Sequence, residues 1–250
     1  MNPQRKRLDV VLTERGLLPS RQRARSLIMA GSVRVDGRMV DKPGTLIAAT
    51  SRVEVSGGDL PYVSRGGLKL DGALNRFGLA VAGWVCMDVG ASTGGFTDCL
   101  LQRGASRVYA VDVGYGQIAW RLRQDPRVTV IERTNIRYMS VERIPESMDL
   151  ITIDVSFISL KNVVPAVLKF LAPDGRLLPL IKPQFEVGKG QVGKGGVVTD
   201  AGQHSRVIAE LDLFFRGLGF TCSEAVPSPI EGPKGNKEFF MLLNASNARV

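Results

Sequence analysis

From about residue 80 onward, short apolar runs of strand length alternate with segments of helical spacing. This alternation is typical of a parallel sheet covered by helices on both faces, because parallel neighbours must be joined by a crossover. The predicted strands are residues 84–89, 108–112, 128–132, 150–155 and 176–182. Open α/β sheets bind ligands at the carboxyl ends of their strands, so the residues after each run are the candidates for function.

A small basic segment precedes this pattern. Residues 1–60 contain 11 Lys or Arg against 6 Asp or Glu, whereas residues 61–250 contain 22 against 18. A quarter of the chain therefore carries more than half of the net charge of +9. Such a module most often binds nucleic acid, and the alternative is a solvated charged face.

The order of elements in this segment resembles the S4 family of RNA-binding domains, over about residues 5–57. Gly16 ends a first helix, Ser20 caps a basic second helix that closes at Gly31, and Asp36-Gly37 signals a hairpin. The resemblance implies phosphate contacts from the helix and hairpin, although a structural helix–hairpin accessory remains the alternative. The candidate RNA-binding residues are Arg5, Lys6, Arg7, Arg21, Arg23, Arg25, Arg34 and Arg65.

A glycine-rich segment after the first predicted strand holds most candidates for cofactor binding, because small residues let the backbone turn tightly and approach a ligand. Asp112 ends the second strand, where a carboxylate can accept hydrogen bonds from a ribose diol. Asn135 follows the third strand, and a role at the adenine end and a role as a turn or cap residue both stay open. The candidate set is Asp88, Gly90, Ala91, Ser92, Thr93, Gly94, Gly95, Phe96, Asp112, Asn135 and Asp154.

Two residues of this segment distinguish between NAD and S-adenosylmethionine as the cofactor. Ser92 occupies the place of the second glycine in the dinucleotide fingerprint, and the acid Asp88 precedes the first glycine. These departures favour S-adenosylmethionine over NAD.

The segments DVGASTGGFT, AVDVGYGQ and DVSFISL resemble the TlyA or hemolysin A family of FtsJ-like ribosomal RNA 2′-O-methyltransferases. The resemblance spans nearly the whole chain. It implies a small α+β S4-like domain at 1–57, a linker at 58–62 and a Rossmann-like methyltransferase domain of α/β class at 63–250. It also implies methylation of a ribose, that of cytidine in the family, in 16S or 23S ribosomal RNA or in ribosomal subunits. The family's catalytic tetrad matches Lys69, Asp154, Lys182 and Glu238.

A mechanism for this tetrad follows from acid–base chemistry. A ribose hydroxyl is a poor nucleophile, so a base must accept its proton while the two reactants are held in line. Lys182 is the candidate base and Asp154 its orienting partner, while Lys69 and Glu238 tune the site and position the ribose. Because a lysine is normally protonated at neutral pH, we expect the nearby second lysine to lower the pKa of Lys182.

Other chemistries find little support in the sequence. His204 is the single histidine and reads as a polar residue early in a helix, and the three cysteines, which we expect to be buried, have no metal-ligand spacing. The run from Gly188 to Gly195 mimics a phosphate loop but lacks its Ser or Thr. With no signal peptide or spanning segment, we expect a cytoplasmic protein. A noncatalytic RNA-binding assembly scaffold and a membrane-active hemolysin are the rival functions.

Overall fold

A computed structural model describes residues 5–18, 20–29, 31–55, 61–188, 190, 192–193 and 195–245. The basic N-terminal segment folds around its own small core of apolar side chains, built by two helices and short strands. Its elements are β1 (Arg5–Arg7), α1 (Leu8–Glu14), α2 (Arg21–Met29), β2 (Val33–Val35), β3 (Arg38–Met39), β4 (Leu46–Ala48) and β5 (Val53–Val55). Strand β1 pairs with β4, and a three-stranded sheet has the order β3-β2-β5.

The local signals in this segment act as predicted. Gly16 and Gly31 follow the two helices in the left-handed region, with φ of 66° and 72°. Ser20 Oγ accepts from the amide of Arg23 at 3.2 Å, which caps α2. Asp36 and Gly37 both have positive φ between the antiparallel strands β2 and β3, so the Asp-Gly hairpin is confirmed.

The larger part of the chain forms one nine-stranded sheet with helices on both faces. Its first elements are α3 (Arg65–Phe77), β6 (Val85–Val89), α4 (Gly95–Gln102), β7 (Arg107–Val111), α5 (Trp120–Arg123), β8 (Val128–Ile131), β9 (Met148–Ile153) and α6 (Leu160–Val167). They are followed by β10 (Leu171–Ile181), α7 (Pro183–Glu186), α8 (Ala201–Gly217), β11 (Phe220–Cys222), β12 (Val226–Pro227), β13 (Phe239–Phe240) and β14 (Leu243–Ala245). The main strand order is β11-β14-β10-β9-β6-β7-β8.

The five predicted strands are β6 to β10, and they pair in parallel as expected. Successive residues of a strand face opposite layers: Leu150 and Leu178 pack with α3 and α4, whereas Ile151 and Leu177 pack with α6 and α8. The α/β fold class is therefore confirmed.

The sheet is mixed rather than wholly parallel, which the helix–strand alternation does not predict. Strands β13 and β14 pair antiparallel to β10, and β11 pairs antiparallel to β14. These C-terminal strands have only two or three residues each, too short for a periodic signal. The domain boundaries stay a prediction, and residues 58–60 of the predicted linker lie outside the described residues.

Candidate active site

A cleft of about 340 Å³ opens at the carboxyl ends of the central strands. Its walls are formed by the ends of β9 and β10, the first turns of α3 and the segment of residues 90–95 that follows β6, here called the glycine turn. Of the residues predicted to be functional, the cleft is lined by Arg65, Lys69, Asp88, Gly90, Ala91, Ser92, Thr93, Gly95, Phe96, Asp154 and Lys182. Sequence reasoning thus identified one continuous surface from several separate segments.

Gly90 lets two strand ends approach each other at the base of the cleft. Its φ is 86°, and a Cβ atom there would lie 2.2 Å from the carbonyl oxygen of Asp154. A side chain at this position would meet backbone that cannot move aside, so the turn after β6 requires glycine. Ser92 also has positive φ, at 48°, although it is not glycine. Left-handed residues of this kind concentrate at ligand sites.

Asp112 supports the glycine turn from the end of β7. Its Oδ2 accepts from the amide of Ser92 at 2.8 Å, and its Oδ1 accepts from the amide of Gly114 at 2.6 Å. Asn135 Oδ1 accepts from the amide of Arg137 at 3.1 Å and caps a short 3-10 turn. Asn135 is therefore a cap residue in the structure, as one of the two predictions states. A contact of Asn135 with an adenine ring stays a prediction.

Asp88 presents an unsatisfied oxygen at the cleft. The side chain is fully buried, and Oδ2 accepts from the amide and hydroxyl of Thr97 at 2.9 and 2.7 Å. Oδ1 has no hydrogen-bond partner among the residues that the structure describes. Burial raises the pKa of Asp88 to about 7, against the opposing effect of the bonds from Thr97. A buried polar atom without a partner is costly and indicates a ligand group that would satisfy it.

Two lysine–carboxylate pairs stand beside the turn. Lys182 follows β10 and Asp154 follows the adjacent parallel strand β9, so Nζ of the lysine lies 2.5 Å from Oδ1 of the aspartate. Lys69 lies on the buried face of α3, and its Nζ is 2.6 Å from Oε2 of Glu238, just before β13. The fold thus brings all four predicted tetrad residues into two ion pairs, of which Lys69–Glu238 is buried and Lys182–Asp154 is partly buried.

The predicted downward shift of the Lys182 pKa is wrong for this state of the protein. Burial lowers the pKa of Lys182, but the carboxylates of Asp154 and Glu238 outweigh burial and hold the pKa above its ordinary value. The same pairing, with a further contribution from Lys69, holds the pKa of Asp154 below its ordinary value despite burial. The resting site therefore contains an ammonium, because the effect of the two carboxylates on Lys182 exceeds that of burial.

Several lining residues were missed by sequence reasoning. Ser156 Oγ accepts from Nζ of Lys182 at 3.2 Å, and Arg65 donates to the carbonyl oxygen of Glu231 at 3.3 Å. The N-terminal domain also reaches the cleft, through Met29, Gly31, Met39 and Asp41. The only sequence signal for Ser156 is its position two residues after Asp154, and nothing local marks the others.

The predicted RNA-binding arginines fall into two groups. Arg23 and Arg25 are exposed on α2, and Arg5 is exposed on β1. The others make intramolecular contacts: Lys6 with Glu14, Arg7 and Arg21 with Asp9, Arg34 with the carbonyl oxygen of Gly37, and Arg65 as described above. Contacts of these side chains with RNA stay predictions.

The residues set aside by sequence reasoning have structural roles. His204 is buried in α8, with Nε2 2.9 Å from the carbonyl oxygen of Val198. Asp200 caps that helix by accepting from the amide of Gly202 at 2.7 Å, so this helix begins after the phosphate-loop mimic. Cys86, Cys99 and Cys222 are buried, as expected.

A Rossmann-like sheet with this glycine turn and paired lysines, preceded by a small basic domain, defines a methyltransferase with an appended RNA-binding module. Family models agree: FtsJ-like methyltransferase matches residues 62–245, and S4 domain matches residues 6–53. The chain belongs to the FtsJ-like methyltransferase family, and its full-length relatives include TlyA proteins.

One such relative is the 16S/23S rRNA (cytidine-2′-O)-methyltransferase TlyA of Mycobacterium tuberculosis. It is 49% identical over 247 residues, which cover 98% of this chain and 92% of the relative. Hemolysin A of Brachyspira hyodysenteriae is 40% identical over 234 residues, covering 93% and 97%. A structure from Streptococcus thermophilus, solved under the name hemolysin, superposes with a TM-score of 0.76 at 42% identity and covers 99% of this chain and 90% of that one.

Proposed function

We propose that this enzyme transfers a methyl group from S-adenosylmethionine to the 2′-hydroxyl of a cytidine in 16S or 23S ribosomal RNA. The observation that carries this proposal is that Lys69, paired with Glu238, and Lys182, paired with Asp154, both line the cleft that holds the glycine turn. The near full-length similarity to TlyA supports the same substrate class.

The residues at the turn fit the proposed cofactor. Gly90 lets the backbone at the end of β9 approach the turn closely, and Asp88 Oδ1 offers a buried acceptor without a protein partner among the described residues. A cationic amino group is the kind of donor that would satisfy this carboxylate. When bound, S-adenosylmethionine supplies a methyl group already activated by its sulfonium. The chain therefore needs to position the nucleophile and accept one proton.

Lys182 is the proposed proton acceptor, after it has lost its own proton. Its amine nitrogen then takes the proton of the ribose hydroxyl while the hydroxyl oxygen forms the new bond to the methyl carbon. The methyl carbon–sulfur bond of the donor would break in the same step, and S-adenosylhomocysteine would be the leaving group. Asp154 and Ser156 hold Nζ from two directions, at 2.5 and 3.2 Å, and so fix where the lone pair points. We assign Lys69, held by Glu238, to positioning of the ribose.

Exposed aromatic side chains in the segments that follow β7 and β9 support an RNA substrate. Phe157, three residues after Asp154, is 88% exposed and packs against Phe185 at a centroid distance of 4.9 Å. Arg133 lies over the exposed ring of Tyr115 at 4.0 Å. Exposed aromatic and guanidinium planes are the features on which unstacked bases pack in RNA recognition.

The substitution Lys182→Ala tests the proposal directly. We expect methyl transfer to fall about 100-fold to 10,000-fold, the usual contribution of a general base, while calorimetry still detects cofactor binding. Lys161→Ala is the matched control, because Lys161 is exposed on α6 in a 3.4 Å pair with Glu210. Full methyl transfer by Lys182→Ala would refute Lys182 as the base, and methyl label on a base instead of a ribose would refute the mechanism. A wild type that binds RNA without transferring methyl groups would favour the scaffold alternative.

The names of two similar proteins raise the hemolysin alternative. Within the described residues, the structure contains no helix with the length and apolarity that a membrane crossing requires. We propose ribosomal RNA or ribosomal subunits in the cytoplasm as the site of action. Leakage of dye from lipid vesicles, with and without S-adenosylmethionine, measures the alternative independently of the tetrad.

A further inference from the structure

A buried carboxylate lies beneath the basic surface of the N-terminal domain. Asp9, in the first turn of α1, has a side chain that is 0% exposed. Its Oδ1 accepts from Nε of Arg7 at 2.9 Å, and its Oδ2 accepts from Nη2 of Arg7 at 3.1 Å and from Nη2 of Arg21 at 3.0 Å. The hydrogen bond from Arg7, helped by Arg21, overcomes burial and holds the pKa of Asp9 below its ordinary value.

The two arginines nevertheless remain open to solvent. Their side chains are 49% and 59% exposed for Arg7 and Arg21. A guanidinium has five N–H donors, and Asp9 uses two nitrogens of Arg7 and one of Arg21, so donors remain on each. The backbone at Gly44 closes the other side of Arg7, because a Cβ there would lie 3.4 Å from Nη1.

These contacts fix residues from different elements in one arrangement. Arg7 ends β1 and Arg21 begins α2, so their spacing depends on the shared carboxylate rather than on a single helix. Two guanidinium groups and one carboxylate have a net charge of +1, which one phosphodiester would neutralise. Guanidinium forks recognise phosphate oxygens with defined geometry, which a diffuse positive charge does not provide.

We propose that Asp9 is a positioning residue that holds Arg7 and Arg21 as a paired fork for one phosphate group of the RNA backbone. The inference rests on the proposed function, because it requires an RNA substrate. It assigns to a buried acid a role in RNA affinity, although an acid would ordinarily repel RNA.

The substitution Asp9→Asn separates positioning from charge. It raises the net charge of the cluster from +1 to +2, so an effect of charge alone would tighten RNA binding. Positioning predicts the opposite, because an amide has only one acceptor oxygen and turns donors toward the guanidinium groups. We expect the Kd for unmethylated ribosomal RNA transcripts to rise about tenfold, in line with losing hydrogen bonds to a charged group. The salt dependence of log K should fall by about one phosphate contact, or about 0.7 to 0.9 in slope.

Glu54→Gln is the matched control. It also removes one acid from an arginine–carboxylate pair of the same domain, but the Arg52–Glu54 pair is exposed on both sides. We expect its RNA affinity to stay the same or to tighten slightly. A loss equal to that of Asp9→Asn would show that any acid in this domain supports binding, which contradicts the inference.

Arg21→Lys gives a second route if Asp9→Asn disturbs folding. This variant keeps the charge and removes the fork, so we expect a comparable loss of RNA affinity. In the double variant with Asp9→Asn, the fold-loss of RNA affinity should be clearly smaller than the product of the two single fold-losses, because both changes disrupt the same arginine–carboxylate cluster. Full RNA affinity of Arg21→Lys would overturn the inference whatever Asp9→Asn does.

Kinetic constants distinguish a role of Asp9 in RNA binding from a general loss of structure. In Asp9→Asn we expect the KM for RNA to rise while the KM for S-adenosylmethionine and the kcat at saturating RNA stay unchanged. Thermal unfolding of the full chain monitors folding. A wild-type enzyme that neither binds nor methylates RNA would refute the proposed function itself. A fully active wild type with unchanged or tighter binding in Asp9→Asn would refute only the role of Asp9.

Discussion

The rate of methyl transfer should depend steeply on pH, because Lys182 must lose its own proton before it can accept another. The adjacent carboxylates hold its pKa above the ordinary value, despite burial. Near neutral pH only a small fraction of sites then has a free amine. We expect the single-turnover rate to rise about tenfold for each pH unit from about pH 6.5 to about 9.

Asp154→Asn should move this profile to lower pH. Nζ of Lys182 and Oδ1 of Asp154 are 2.5 Å apart. Two charges at that distance attract by about 7 kcal/mol at an effective dielectric constant of about 20. A fifth of that energy equals about one pKa unit. We therefore expect the rate plateau to begin at a pH at least about one unit lower than in the wild type. The maximum rate should also be lower, because the amine of Lys182 is held less firmly.

The assay uses preformed complexes of enzyme, RNA and cofactor labelled in its methyl group, quenched over a time course at each pH. Nucleoside mass spectrometry confirms that the label is on a ribose. Glu142→Gln is the control, because this glutamate is exposed on the turn Val141–Arg143, and its profile should match that of the wild type. A rate independent of pH, or a shift of the Asp154→Asn profile to higher pH, would refute Lys182 as the base.

Two further substitutions test the cofactor side of the cleft. Gly90→Ala should abolish cofactor binding by calorimetry, because its Cβ would collide with the carbonyl of Asp154; unchanged affinity would show that the strand ends are not fixed. Asp88→Asn should change how the free energy of unfolding depends on pH. The folded-state pKa of about 7 lies above the unfolded value, so the folded wild type binds more protons and loses stability as pH rises from about 4 to 7. In thermal unfolding, Asp88→Asn should not lose stability between about pH 4 and 7. A wild type whose stability rises across that range would contradict the raised pKa of Asp88.

The parts of the fold that were predictable depend on short stretches of sequence. Apolar runs gave β6 to β10, and glycine and Asp-Gly signals gave the ends of the first two helices and the hairpin. The C-terminal antiparallel strands escaped prediction because two or three residues carry no period. Their pairing depends on the exposed edge of β10, a feature that exists only after the sheet has formed.

The candidate site likewise has features that the sequence predicted and features that depend on the tertiary structure. Motif resemblance selected four residues that the structure joins in two ion pairs, but it did not give their charge state. The sign of the Lys182 shift depends on distances to two carboxylates and on burial, neither of which a linear sequence contains. Asp9 is a comparable case, since nothing around it in the sequence separates a buried acid that holds two arginines from an ordinary surface aspartate.

By itself, the sequence determined the alternation of strands and helices, the glycine turn and the concentration of positive charge near the N-terminus, because periodicity, turn conformation and composition are local properties. The tertiary structure alone decided which groups meet. Lys69 and Glu238 are 169 positions apart in the chain yet form a 2.6 Å ion pair, and Lys182 is kept charged by its neighbours. Electrostatic interactions depend on distance and desolvation, and both are set only when the chain has folded.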